Sequence, residues 1–191
     1  MQKQVLEALE ESFGVYNDDE APSLSKNFVL PLELMEDWRQ CSVVSDFVAR
    51  DQSNNYRDAN KSANVLSTIT NELLENAVKF SYDQNKLVTL TLHSYQCALS
   101  IETVNSTSGE NISALKTLIS DLETKDIETL YFEQLEKTFE DGSDESGMGF
   151  LGLIKDFGLN IGFKIKKKLG HDNTYDVFVK VKIENENIDA L

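Results

Sequence analysis

Apolar positions recur at three- and four-residue spacing through the middle of the chain. Leu66, Ile69, Leu73, Ala77 and Phe80 form one stripe on a helix predicted over residues 61–80. At about 100° per residue, Glu72, Asn76 and Lys79 form a second, narrower stripe beside it. Upstream, Val5, Leu6, Leu9 and Phe13 predict a short helix over 1–14, stopped by Gly14. Residues 28–32 predict an edge strand, because Pro31 cannot donate to a sheet ladder. A helix follows over 37–49 with Trp38, Val44, Phe47 and Val48 as its buried members, and then a polar loop over 51–60.

Downstream of the central helix the period changes from 3.6 to 2. Residues 87–93 and 98–104 alternate and predict a hairpin, while 105–111 read as a loop by composition. Helices are predicted over 112–122 and 127–139, then an acidic, glycine-containing mobile connection over 140–146. A glycine-rich stretch from 147 runs into a short helix ending at Phe157. A second hairpin, 162–169 with 175–183, closes the pattern around a Gly-His-Asp-Asn turn. No internal repeat is visible. Helices mixed with antiparallel hairpins predict an α+β fold with the helices on one face of the sheet.

At 191 residues and 40% hydrophobic content, one domain with a substantial core is expected. No apolar run approaches the roughly 20 residues of a membrane span, and the N-terminus has no signal-peptide core, so a cytoplasmic protein is expected. The formal net charge of −15 argues against nucleic acid or an anionic membrane as partner, both being polyanions. A nucleotide pocket stays compatible with that charge, since it needs only local backbone donors and one or two cations. Cys41 and Cys97 have neither metal-site spacing nor the density of a disulfide scaffold.

The second stripe of the central helix carries an acid, an amide and a base at i, i+4 and i+7. Those residue types can accept a proton, hold a hard cation through oxygen and neutralise a phosphate. A solvated helix face with a Glu-to-Lys pair has the same pattern. Gly147-x-Gly149 stands ahead of a helix, where backbone N–H groups can approach a phosphate. It lacks the Gly-Lys-Ser/Thr ending of a P-loop and the leading strand of a dinucleotide fingerprint, and an ordinary helix entry also reads this way.

Taken in order, Asn71-Glu-Leu-Leu-Glu-Asn-Ala-Val-Lys-Phe-Ser81 resembles the N box of the GHKL ATP-binding superfamily. Ser146-Gly-Met-Gly-Phe-Leu-Gly-Leu-Ile154 resembles its G2 box. That superfamily includes histidine kinases, anti-sigma-factor kinases, gyrase and Hsp90, and the resemblance covers about residues 60–183. It implies the Bergerat fold, a two-layer α/β sandwich with a mixed, mostly antiparallel sheet and helices on one face. It also implies ATP and Mg²⁺ as ligands. Glu72 takes the place of the general base and Asn76 that of the Mg²⁺ ligand. Lys79 contacts phosphate, and Gly147 and Gly149 supply backbone donors from the ATP lid. Asn105 and Gly109 occupy the G1 loop, with Asn105 where the family has the aspartate that accepts from adenine. An amide in that place can accept through its oxygen or donate through its nitrogen.

Residues 33–48, with Trp38 and Arg39, together with 71–81 also resemble small stand-alone bacterial regulators related to SiaB-type protein kinases. That resemblance implies phosphorylation or sequestration of a small anti-sigma-antagonist-like partner protein. It makes residues 1–60 a family-specific extension packed on the same domain, offering a dimer or partner surface, and 61–191 the ATP-binding core. Core packing is the plainer role for Trp38.

Histidine autokinase activity is not expected. His93 falls on a predicted strand and His171 in a hairpin turn, and no dimerisation hairpin precedes the central helix. Ser/His/Asp and Cys/His catalysis have no supporting spacing either. The expected function is an ATP-binding bacterial regulatory protein that acts as a serine/threonine kinase. The alternative is a non-catalytic nucleotide- or partner-binding module.

Overall fold

The alternating segments pair into a single six-stranded sheet, seen in a computed structural model that describes residues 10–14, 16, 20–35, 37–82, 87–141, 148–168 and 173–190. In chain order the elements are β1 (Glu10–Gly14), β2 (Leu24–Pro31), α1 (Leu32–Met35), α2 (Trp38–Ser53), α3 (Ala59–Lys79), β3 (Leu87–Ser94) and β4 (Ala98–Ser108). Then follow α4 (Gly109–Thr124), α5 (Ile127–Asp141), α6 (Met148–Phe157), β5 (Asn160–Lys167), β6 (Thr174–Glu184) and α7 (Asn185–Ala190). The strands lie in the order β1-β5-β6-β4-β3-β2. Each pairing is antiparallel, in keeping with the mostly antiparallel sheet expected.

Period-2 alternation puts one residue type on the helix side of every strand. Register then lines those residues up across the sheet: Phe13 opposite Phe163, Phe163 opposite Val179, Val179 opposite Thr103, Thr103 opposite Leu90 and Leu90 opposite Phe28. The apolar stripe of α3 covers this face, with Leu66, Ile69, Leu73, Leu74 and Ala77 all buried in the core. Burying each of the larger of these side chains contributes about 1.5–3 kcal/mol. The helix begins where Asp58 accepts hydrogen bonds from the Asn60 and Lys61 N–H groups, both at 3.1 Å. It ends at Phe80, whose N–H returns to the Asn76 carbonyl. Helix α2, capped by Asp37, packs along α3 through Cys41, Ser45, Val48 and Ala49. Burial and the nearby Glu75 carboxylate push the Cys41 thiol up to about 11, so it acts as packing and not as a nucleophile.

Several local expectations change in the folded chain. Glu10–Gly14 is a strand paired with β5, not the end of a helix. The remainder of that expected helix, residues 1–9, lies outside the described residues. Pairing wins there because an edge of the sheet is available to Phe13, which no local spacing reveals. Helix α2 continues through Ser53, and α3 starts at Ala59, so the expected polar loop over 51–60 is a short turn. Phe47 is 62% exposed, meeting Phe28 edge-on at 6.3 Å with its other side in solvent. The largest change is at 105–111, which is neither loop nor turn. β4 runs on to Ser108 opposite Thr174 of β6, and α4 starts at Gly109. Side chains satisfy Ser106 in place: its Oγ donates to Asp176 Oδ1 at 2.7 Å, and Lys168 Nζ reaches the same hydroxyl at 2.8 Å. Of the expected mobile acidic connection over 140–146, residues 140 and 141 close α5, and 142–146 lie outside the described residues.

Candidate functional site

Five elements meet around one cleft on the helix side of the sheet: α3, β4, α4, α6 and β6. Its polar wall is Asn76, Asn105, Thr107 and Asn111, and its apolar wall includes Phe80, Leu115, Phe150 and Val179. The partly open cleft holds a space of about 90 Å³. A single buried water needs about 10–15 Å³ on this measure, so the space suits a small flat ring rather than isolated solvent. Hydrogen bonds brace the floor where α3 ends. Thr107 Oγ1 donates to the Phe80 carbonyl at 2.6 Å, and Asn111 Nδ2 donates to Thr107 Oγ1 at 3.0 Å. The Tyr82 N–H donates to the Ser106 carbonyl at 2.9 Å, tying the chain after α3 to β4.

Asn105 is the unusual member of this wall. It sits on β4 opposite Val177 in the inward-facing row that also holds Ile165. It is 5% exposed, and its Nδ2 is buried with no hydrogen-bond partner among the described residues. An unsatisfied buried donor costs about 1–3 kcal/mol, which a partner supplied from the cleft would recover.

Asn76 turns its amide by a bond within its own helix. Nδ2 donates to the Glu72 carbonyl at 2.8 Å, which leaves Oδ1 as the atom to present to the cleft. Glu72, one turn earlier, is half-buried, and the start of α6 comes down on both residues. A Cβ added to Gly149 would overlap Glu72 Oε2 and stand 3.0 Å from Asn76 Nδ2. Glycine allows that approach without moving the Glu72 carboxylate, and it brings a helix N-terminus, with its unpaired N–H groups and partial positive charge, beside the acid and the amide. Burial, with the Glu75 carboxylate adding to it, holds the Glu72 carboxyl above the usual carboxylate range. A carboxylate so placed is a stronger proton acceptor than one in water.

Glu72 also lines a second, polar groove of about 540 Å³ between α2 and α3, with Asp46, Arg50, Ser67 and Asn71. Ser67 Oγ donates to Asp46 Oδ1 at 2.6 Å, and Asn71 Nδ2 to Glu75 Oε1 at 2.7 Å. The acid therefore stands between a mostly apolar cleft and an open polar groove.

The remaining residues singled out from sequence lie elsewhere. Lys79 is exposed on the last turn of α3, its Nζ 6.0 Å from the Phe80 ring centroid, and does not wall the cavity. Gly109 packs against Asn173, donating its N–H to the Asn173 carbonyl at 3.1 Å, and a Cβ there would overlap the Asn173 amide. Gly147 and His171 lie outside the described residues. His93 shares a 2.8 Å hydrogen bond with Ser25 on the paired strand. Arg39 is bound locally to the α2 cap, Asp37, at 2.8 Å. Thr107 and Asn111 escaped the sequence reading. Continuing the period of Leu99 and Ile101 through Thr103 and Asn105 would have placed Thr107 on the inward face, whereas Asn111 reaches the cleft from α4.

Among the described residues, no cluster of three His, Cys, Asp or Glu side chains could hold a metal ion. A cation here would therefore take most of its ligands from a substrate, as Mg²⁺ does on phosphates. Among the described residues, no helix is long and apolar enough to cross a membrane. No family model and no curated protein matches the chain. A chain in the crystal structure of the SiaB–SiaC complex from Pseudomonas aeruginosa does match, with a TM-score of 0.60 and 12% identity. The match covers 83% of this chain and 89% of that one. At that identity the likeness establishes a shared α+β sandwich fold.

Proposed function

We propose that the chain is a GHKL-type ATP-binding regulator that phosphorylates a hydroxyl group on a small partner protein. One observation carries this reading: Gly149 sets the start of α6 against Glu72 and Asn76, beside a cleft lined by Asn105, whose buried amide nitrogen has no partner among the described residues. The solved structure that shares the fold is of a complex with a second protein, which supports a partner-binding regulator.

On this reading the purine ring enters the cleft beside Asn105, and the phosphates lie across Asn76 and the first N–H groups of α6. Asn76 Oδ1 would hold Mg²⁺ together with the nucleotide phosphates, and the bound ion would neutralise charge on them. The partner's serine or threonine would reach Glu72 along the polar groove between α2 and α3. As the hydroxyl oxygen bonds to the γ-phosphorus, the bond from that phosphorus to the β–γ bridging oxygen breaks and ADP leaves. The hydroxyl proton passes to the Glu72 carboxylate. Residues 1–60 would supply the dimer or partner surface, through the exposed Val43 and Phe47 of α2.

The deciding experiment is calorimetric titration of ATP with and without Mg²⁺ on wild type and Asn76→Ala. Wild type is expected to bind, and the variant to lose the Mg²⁺-dependent part, about tenfold or more. Unchanged affinity in Asn76→Ala sinks the metal assignment. Gly149→Ala should leave stability within about 1 kcal/mol, since alanine favours a helix. Its methyl group would displace the Glu72 carboxylate and crowd Asn76, so Mg·ATP affinity should fall. Full retention of affinity would show that the close approach has no role in binding.

A second reading, a non-catalytic module that binds nucleotide or partner without transfer, is favoured by Asn105 standing where the family has an aspartate. Nucleotide binding without label transfer to any partner would select it.

A further inference from the structure

The Asn105 amide constrains what the cleft can take, resting on the nucleotide reading above. Its row neighbours Val177 and Ile165 are apolar, and no hydrogen bond from the described residues fixes which way the amide faces. The nearest polar wall groups are already engaged: Thr107 Oγ1 with the Phe80 carbonyl and Asn111 Nδ2 with Thr107. Asn76 Nδ2 is held by Glu72. Asn105 is thus the wall residue whose amide nitrogen makes no hydrogen bond among the described residues.

A primary amide presents one donor edge and one acceptor edge of nearly equal shape, and a half-turn about χ2 exchanges them. A 6-aminopurine offers an amino donor beside an N1 acceptor. A 6-oxopurine offers an O6 acceptor beside an N1–H donor. In one rotamer Asn105 pairs with the first edge, donating to N1 and accepting from the amino group. In the other it pairs with the second, donating to O6 and accepting from N1–H. A carboxylate in this place could only accept, so it would repel O6. We infer that the cleft recognises purine nucleotides of both the 6-amino and the 6-oxo class, with Asn105 as the residue that relaxes the choice.

The test is calorimetric titration of ATP and inosine triphosphate with Mg²⁺. The two rings differ in the 6-substituent and the N1 proton alone, so the ratio of affinities reads the Asn105 edge. Wild type should bind the two within about tenfold of each other, whereas sites that reject a mismatched polar edge discriminate by about 10⁴-fold. A stronger preference for ATP overturns the inference while leaving nucleotide binding intact. Asn105→Asp should raise the preference for ATP by about tenfold or more, and an unchanged ratio in a folded variant removes Asn105 from the role. Binding of neither nucleotide to wild type overturns the nucleotide reading itself, and this inference with it.

Discussion

Replacing Glu72 with glutamine is expected to slow phosphoryl transfer by about 10²–10⁴-fold, the range for loss of a general base. Glutamine keeps the size of the side chain, so the packing against Gly149 survives and Asn76 keeps its bond to the backbone carbonyl of residue 72. What disappears is the proton-accepting carboxylate. ATP affinity should therefore stay close to wild type, because the interaction lost is one made as the hydroxyl proton moves. Stability should not fall, since burial disfavours the charged form of this side chain and the amide carries no charge. The measurement pairs calorimetric ATP affinity with label incorporated from γ-labelled ATP into the partner protein recovered with the chain. Transfer surviving within tenfold of wild type would mean that another group takes the proton.

The largest stability effect should come from the same helix, one residue further on. Leu73 is 1% exposed and faces the sheet, so Leu73→Ala removes buried methyl groups from a site with little room to collapse. Such changes cost about 2–5 kcal/mol. For a domain of this size that lowers the melting midpoint by about 4–20 °C. Phe47→Ala is the control, because helical spacing alone would place Phe47 in the core while the folded chain leaves it largely in solvent. Its loss should cost about 1.5 kcal/mol at most, mainly the edge-on contact with Phe28. Denaturant midpoints for the two variants would settle the order, and a larger loss at Phe47 would contradict the burial of α3 against the sheet.

Glu72 and Asn76 were legible in the sequence because a helix of this length carries its own register. Three- and four-residue spacing fixes which side chains share a face, and the apolar stripe says which face turns inward. The hairpin strands were legible for the same reason, since alternation is a property of the strand itself. Local signals failed where the deciding partner is distant in sequence. β1 forms because β5 offers an edge some 150 residues away, and Asn105 lies in a strand because β6 pairs with it. By itself, then, the sequence determined α3, the two hairpins, the faces they bury and the placing of Glu72 and Asn76 on one side of α3. Only the tertiary structure decided that Gly149 comes against that pair, that Lys79 and Gly109 stay outside the cavity and that Asn105 lines it with an amide nitrogen unpaired among the described residues. Periodicity is carried by neighbouring residues and the backbone they share. A site is made by contacts between elements, and those depend on packing the whole chain at once.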